Sequence, residues 1–284
     1  MRFVTISRNG YSEPGVWWND EIIGIRDAGF ANMREVVGGG ADARDRVERA
    51  IYDPPGGERF NPAQVTFLSP LPRPPKLICI GLNYRDHAEE ARAQIPSVPT
   101  VFSKFQTAVT GHLRPIVLPK NSTKPDYEAE FAVVIGKGGR HIPESAWREH
   151  VFGYTIVNDV SARDFQNATS QWMMGKTFDT FAPIGPVIVT ADEIEDPHNL
   201  DISLTLNGET MQHSNTRNLI FGVPQLVAYL SSVFTLEPGD VIATGTPAGV
   251  GFARKPPRWL KPGDECRVRI EKIGELINPV VAET

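Results

Sequence analysis

Cysteine is almost missing from this chain: Cys79 and Cys266 are the only two in 284 residues, and they lie far apart. With no CxxC pair they cannot form a zinc site by themselves, and they read as two core thiols in a reducing setting. No run approaches the ~20 apolar residues of a membrane-spanning helix. A positive excess is missing too. The net charge of −5 and pI of about 5.7 favour neither nucleic acid nor an anionic membrane surface as a partner. Internal repeats and low-complexity tracts are absent. Residues 1–6 run straight into a strand pattern, with no signal or transit leader in view. The expectation is a soluble cytoplasmic protein, or one of the mitochondrial matrix in a eukaryote.

What is present points to a packed fold. Hydrophobic residues make up 40% and charged residues 22%, and the length suffices for one large domain plus a small one. Many short strand patterns, few helical ones and 24 prolines predict a β-dominated α+β fold. Residues 2–7 alternate as a strand. Turns are expected at Asn9-Gly10 and Glu13-Pro14-Gly15, and a hairpin over 16–25. The spacing predicts helices over 42–52 and 218–233. Four prolines within 70–75 suggest a boundary between a small N-terminal β-rich domain, 1–70, and a larger domain, 71–284. The alternative is a surface crossing inside one domain. After the strand 76–81, Asp86 is placed to N-cap a helix with Glu89 as its capping-box partner.

The chemistry centres on 126–137, a buried-strand pattern that carries Glu128 and Glu130. Side chains two apart on a strand share a face, so these carboxylates project together. Burying two like charges is costly unless a cation sits between them. Asp159, at the end of the strand pattern 151–159, adds a third carboxylate. All-oxygen ligands favour Mg²⁺ or Mn²⁺, then Ca²⁺, over zinc. The competing reading is an edge strand with a solvated Glu pair. His87 and Glu90, three apart on a helix, could form a proton-transfer dyad or merely a solvated face. Lys176, in Gly175-Lys176-Thr177, could steady an oxyanion or simply snorkel; Ser170 stands where a phosphate-binding loop needs glycine. The Gly-rich turn 244–251 offers backbone N–H groups and a hydroxyl, or is only a tight turn.

Together these stretches resemble the fumarylacetoacetate hydrolase (FAH) family. The matching runs are Gly81-Leu82-Asn83-Tyr84-Arg85-Asp86-His87, Asp126-Tyr127-Glu128-Ala129-Glu130, and Asn158-Asp159-Val160-Ser161-Ala162-Arg163-Asp164. Gly175-Lys176-Thr177-Phe178-Asp179-Thr180 and Thr244-Gly245-Thr246-Pro247 follow. The resemblance covers about 76–281 and is closest to the branch of FAH-domain-containing protein 2, associated with oxaloacetate keto–enol tautomerisation. It implies a β-roll of mixed sheets behind a small N-terminal domain, usually as a homodimer. It implies Mg²⁺ or Mn²⁺ on Glu128, Glu130 and Asp159, with water in place of a further Asp ligand found in the name-giving hydrolase. His87 and Glu90 would be a dyad on a segment, 83–99, that orders over the substrate. Lys176 would be the oxyanion-stabilising lysine, and Arg163, Gln166 and Thr246 would contact the metal–substrate unit. The reaction expected first is hydrolysis of a C–C bond in an acylpyruvate, a 2-oxo acid with a β-carbonyl. The alternatives are oxaloacetate tautomerisation or decarboxylation, or isomerisation of the 2-hydroxyhepta-2,4-diene-1,7-dioate type. A non-catalytic binding protein is the reading from another class.

Overall fold

β-Branched and aromatic residues recur here in short runs between Pro and Gly turns, so strands dominate. In the computed structural model, which describes residues 1–53 and 57–284, they form a 12-stranded sheet, a five-stranded sheet and a two-stranded ribbon. The spatial order of the large sheet starts with Arg59–Phe60, Glu21–Gly24, Tyr11–Trp18, Arg2–Arg8 and Ala182–Thr190. It continues with Val151–Asn158, Ala129–Ile135, Val241–Ala243, Leu77–Gly81 and Thr100–Ser103. Val241–Ala243 runs parallel to Leu77–Gly81 and antiparallel to Ala129–Ile135, so the sheet is mixed. Among the described residues no helix is long and apolar enough to cross a membrane. The fold is α+β and strand-rich, as composition implies.

Each face of the large sheet buries its own core. On one face Tyr127, Ala129, Phe131, Val133 and Ile135 pack with Tyr154 and Ile156 against the five-stranded sheet and the helix Val223–Val233. On the other, Ala132, Val134, Val157, Ile184 and Ile188 join Phe3, Val16 and Ile23 beneath the helices Met33–Gly38 and Gly40–Tyr52. Each large apolar side chain so buried contributes about 1.5–3 kcal/mol. Arg2–Arg8 pairs directly with Ala182–Thr190, so residues before 70 share this sheet with residues after it.

Two local expectations fail for tertiary reasons. Glu13-Pro14-Gly15 makes no turn but lies inside the strand Tyr11–Trp18, with Thr5 opposite Pro14 and Gly24 opposite Gly15. Pairing on both sides overrides the local turn chemistry. The helix expected over 218–233 begins only at Val223. Asn83 holds the preceding segment extended: its carbonyl accepts from Ile220 N–H, and its side chain bonds both the N–H and the carbonyl of Phe221.

Candidate active site

Ala129–Ile135 is a central strand, flanked by Val151–Asn158 and Val241–Ala243, which removes the solvated-edge reading. Its even face runs from Val134 and Ala132 under apolar cover to Glu130 and Glu128 at a cavity of about 410 Å³. The neighbouring strand ends at Asn158 and delivers Asp159 beside them. Asn158 Oδ1 accepts from Glu128 N–H at 3.0 Å, and Asp159 N–H donates to the Glu128 carbonyl at 2.9 Å. Glu128, Glu130 and Asp159 are buried, and one ligand oxygen from each lies within 4.8 Å of the others. Three buried carboxylate oxygens at that spacing suit a hard divalent cation, which could be held by these three residues.

The cations around them form a chain of contacts. Lys176 Nζ donates to Glu128 Oε2 and to Asp159 Oδ2, each at 2.7 Å. Arg163 Nη2 reaches Glu128 Oε1 at 2.6 Å and Asp126 Oδ2 at 2.9 Å. Lys104 Nζ pairs with Asp159 Oδ1 and donates to the Val160 carbonyl at 2.9 Å. Burial alone would raise Glu128, yet Lys176 and Arg163 outweigh it and hold the carboxyl well below the usual range. Burial likewise opposes the charge on Lys176, and Asp159 and Glu128 overcome it, leaving the ammonium raised. Burial draws Lys104 below its ordinary value, against the pull of Asp159. Glu130 differs. It has no cationic partner among the described residues and accepts one backbone bond, from Gly245 N–H at 2.9 Å. Burial, with Asp159 and Glu128 nearby, pushes its carboxyl well above the ordinary value.

Two glycines make this approach feasible. Gly245 has φ +104°, and a Cβ there would lie 2.8 Å from Asn83 Cβ. At Gly175 a Cβ would lie 2.4 Å from Gln166 N, so glycine lets the short helix Met173–Lys176 seat Lys176 against the helix Arg163–Gln166.

The dyad residues line the same cavity. The helix Arg85–Glu90 places His87 Nδ1 3.3 Å from Glu90 Oε2. Glu90 also accepts from Gly249 N–H at 3.0 and 3.1 Å, which ties the helix to the Gly-rich turn. A carboxylate only accepts, so in the neutral imidazole a bond to Glu90 puts the proton on Nδ1 and leaves Nε2 as the acceptor nitrogen. Asp86 does not N-cap this helix; Tyr84 stands at that position. Asp86 lies in the first turn, accepts from His87 N–H and pairs with the Ser214 hydroxyl, because a strand of the five-stranded sheet passes beside it.

The cavity gathers His87, Glu90, Glu128, Glu130, Arg163, Gln166, Lys176 and Thr246. Asp159 lies just behind it. Gln166 Oε1 accepts from Arg163 Nη1 at 2.8 Å, so its amide N–H₂ is free of that bond. Thr246 Oγ1 accepts from Gln212 Nε2 at 2.8 Å, so its own proton remains to be donated. Ile80, Leu82, Phe102, Trp172 and Phe252 form an apolar wall. Sequence reasoning missed Lys104, Asp126 and Gln212. Asp126 accepts from Gly251 N–H at 2.8 Å and Phe252 N–H at 2.9 Å as well as from Arg163. A carboxylate and a lysine inside otherwise apolar strand runs were the available signal for the first two; Gln212 carried none.

With this geometry in view, the likenesses to known proteins are informative. Residues 76–281 match the family model of the fumarylacetoacetate (FAA) hydrolase C-terminal region. The chain is 51% identical over 220 residues to rat oxaloacetate tautomerase Fahd2a, mitochondrial, covering 77% of this chain and 70% of that one. Among solved structures, a putative HpcE protein from Mycobacterium smegmatis superposes with a TM-score of 0.88 at 38% identity, over 100% of both chains. Maleylpyruvate hydrolase from Sphingobium sp. SYK-6, in complex with manganese(II) and pyruvate, has a TM-score of 0.84 at 33% identity, again over 100% of both.

Proposed function

The chain belongs to the fumarylacetoacetate hydrolase family and is an enzyme of it, and from that premise we propose that it interconverts the keto and enol forms of oxaloacetate. The observation that carries the site is the meeting, in one cavity, of a buried carboxylate cluster and a His–Glu pair. The choice of reaction is supported by the likeness to the rat tautomerase. The expected acylpyruvate hydrolysis takes second place; the size and apolar wall of the cavity favour it, because oxaloacetate fills only a part of that space.

We assign Glu128, Glu130 and Asp159 to a divalent cation, Mg²⁺ or Mn²⁺, and the Mn(II)-containing relative supports that choice. Bound there, the cation would polarise the 2-oxo group and lower the cost of an enolate. His87 Nε2 takes the proton from C3, with Glu90 fixing the tautomer and stabilising the imidazolium. Lys176 donates a hydrogen bond to the developing oxyanion; the imidazolium then passes its proton through water to the 2-oxygen, which completes the enol and restores His87, and the reverse sequence gives the keto form. Thr246 and the Gln166 amide donate to the carboxylate end. Residues 1–70 form a supporting unit, since among the described residues no lining residue precedes Ile80. A groove containing Phe165, Met174 and Phe178, with Met174 63% exposed, favours a homodimer. The compartment is the cytoplasm or, as the rat relative's name indicates, the mitochondrion.

The test is to add protein and Mg²⁺ to enol and keto oxaloacetate, and separately to acylpyruvates, and follow products by NMR. Accelerated keto–enol exchange is the expected result. Cleavage of acylpyruvates without such acceleration would install the hydrolase reading instead.

A further inference from the structure

Six buried charges in this site alternate in one unbroken line: Lys104, Asp159, Lys176, Glu128, Arg163, Asp126. Each is at most 7% exposed. Stability does not explain such a line, because apolar residues of similar volume often serve a core as well or better than buried ion pairs. Its arithmetic is more informative. Three positive and three negative charges sum to zero, and Glu130, with no cationic partner among the described residues, stands outside the line and adds one negative charge when a cation displaces its proton. Counted over the line and Glu130 alone, a divalent cation leaves one positive charge, the complement of one carboxylate head; Glu90, on the helix Arg85–Glu90, lies outside this count. Both ends of the line, Lys104 and Asp126, lie outside the cavity lining. Their side chains are fully buried behind Asp159 and Arg163, and each is coupled to the cluster through one or two ion pairs.

We propose that Lys104 and Asp126 are positioning residues that set the charge balance of the site, so that a divalent cation and the 2-oxo carboxylate head of the substrate are accepted together. The inference rests on the reading that cation and 2-oxo acid share this cavity. Lys104 holds Asp159 from behind through Oδ1, leaving Oδ2 toward the cluster. Asp126 holds Arg163 and the turn at Gly251 and Phe252, which closes the cavity. A unit charge several ångströms away in a partly screened interior changes an ion's affinity by about tenfold or more. Removing the positive end therefore weakens the anion and spares or favours the cation. Removing the negative end does the reverse.

The experiment is calorimetric titration of wild type, Lys104→Met and Asp126→Asn with Mg²⁺ alone, and then with oxamate, a monoanionic 2-oxo carboxylate, at saturating Mg²⁺. Thermal melts confirm that each variant is folded. In Lys104→Met, oxamate affinity should fall about tenfold while Mg²⁺ affinity holds or rises. In Asp126→Asn, Mg²⁺ affinity should fall about tenfold while oxamate affinity holds or rises. A structural brace would weaken both ligands in both variants, and that outcome, or unchanged affinities throughout, overturns the inference alone. A wild type that takes up no Mg²⁺ overturns the functional reading as well. If Lys104→Met does not fold, Lys104→Gln takes its place, and the opposite-sign prediction for Asp126→Asn stands by itself.

Discussion

The floor and the rim of the cavity are built on opposite principles. On the floor Glu128, Glu130 and Asp159 are at most 5% exposed, sit on or beside central strands, and are braced from several sides. At the rim the side chains of His87 and Glu90 are 16% and 24% exposed, on a helix of six residues. Glu90 is held there by a backbone N–H and a histidine, with no buried cation in contact. Charge that must be in place before a ligand arrives needs preorganisation, and long-range strand pairing supplies it. A group that moves protons needs access to solvent and to the incoming ligand, and a short helix behind a turn supplies that. Rigidity and reactivity are thus allotted to different elements.

The largest effect that could break this contrast is at Glu130. Glu130→Gln should lower Mg²⁺ affinity by roughly 10²-fold or more, since removing one member of a buried charge set costs about 3–5 kcal/mol. Proton and metal compete for this carboxyl. Because burial holds it above the ordinary range, Mg²⁺ uptake should release a proton, and apparent affinity should rise with pH until that carboxyl is ionised. Calorimetry in buffers of different ionisation enthalpy reads both. Wild-type Mg²⁺ affinity in the variant would remove Glu130 from the floor's function.

The rim should respond in turnover and leave binding alone. His87→Ala and Glu90→Ala should each slow oxaloacetate tautomerisation by about 10²-fold, the lower end of what a positioned general base contributes. The double variant should lose little more than the worse single one, because the two act as a unit. Mg²⁺ and oxamate affinities should stay near wild type. A loss of Mg²⁺ affinity equal to that of Glu130→Gln would erase the distinction between floor and rim.

The smallest effect lies outside both. Burial, helped by Arg267, holds His112 down to about 4, and its Nδ1 accepts from Ile277 N–H. The unfolded chain therefore binds a proton near the ordinary histidine value while the folded chain refuses it. Stability from this group is complete above about pH 6.5 and is lost as pH falls toward the folded value. The thermal midpoint should drop by a few °C across that window, and His112→Asn should flatten the slope. An unchanged slope would place the acid sensitivity elsewhere, the carboxylate floor being the next place to look.

Local periodicity determined a good deal of this protein. A period of two puts Glu128 and Glu130 on one face, and their identity as carboxylates in an apolar run marks that face as the candidate site. The helical spacing of His87 and Glu90, the turn at Asn9-Gly10, and the strands around it follow from residues within a few positions of each other. Tertiary structure alone decided the rest. Lys104 meets Asp159 across 55 residues of sequence, and Asp126 meets Gly251 across 125. Asn83 keeps 219–222 out of a helix from 138 residues away, and sheet partners on both sides keep Pro14 and Gly15 in a strand. Sequence pattern records which face a side chain takes, because that depends on neighbouring backbone. It does not record which distant charge will stand opposite, because that depends on sheet order, and sheet order is settled only when the whole core is packed.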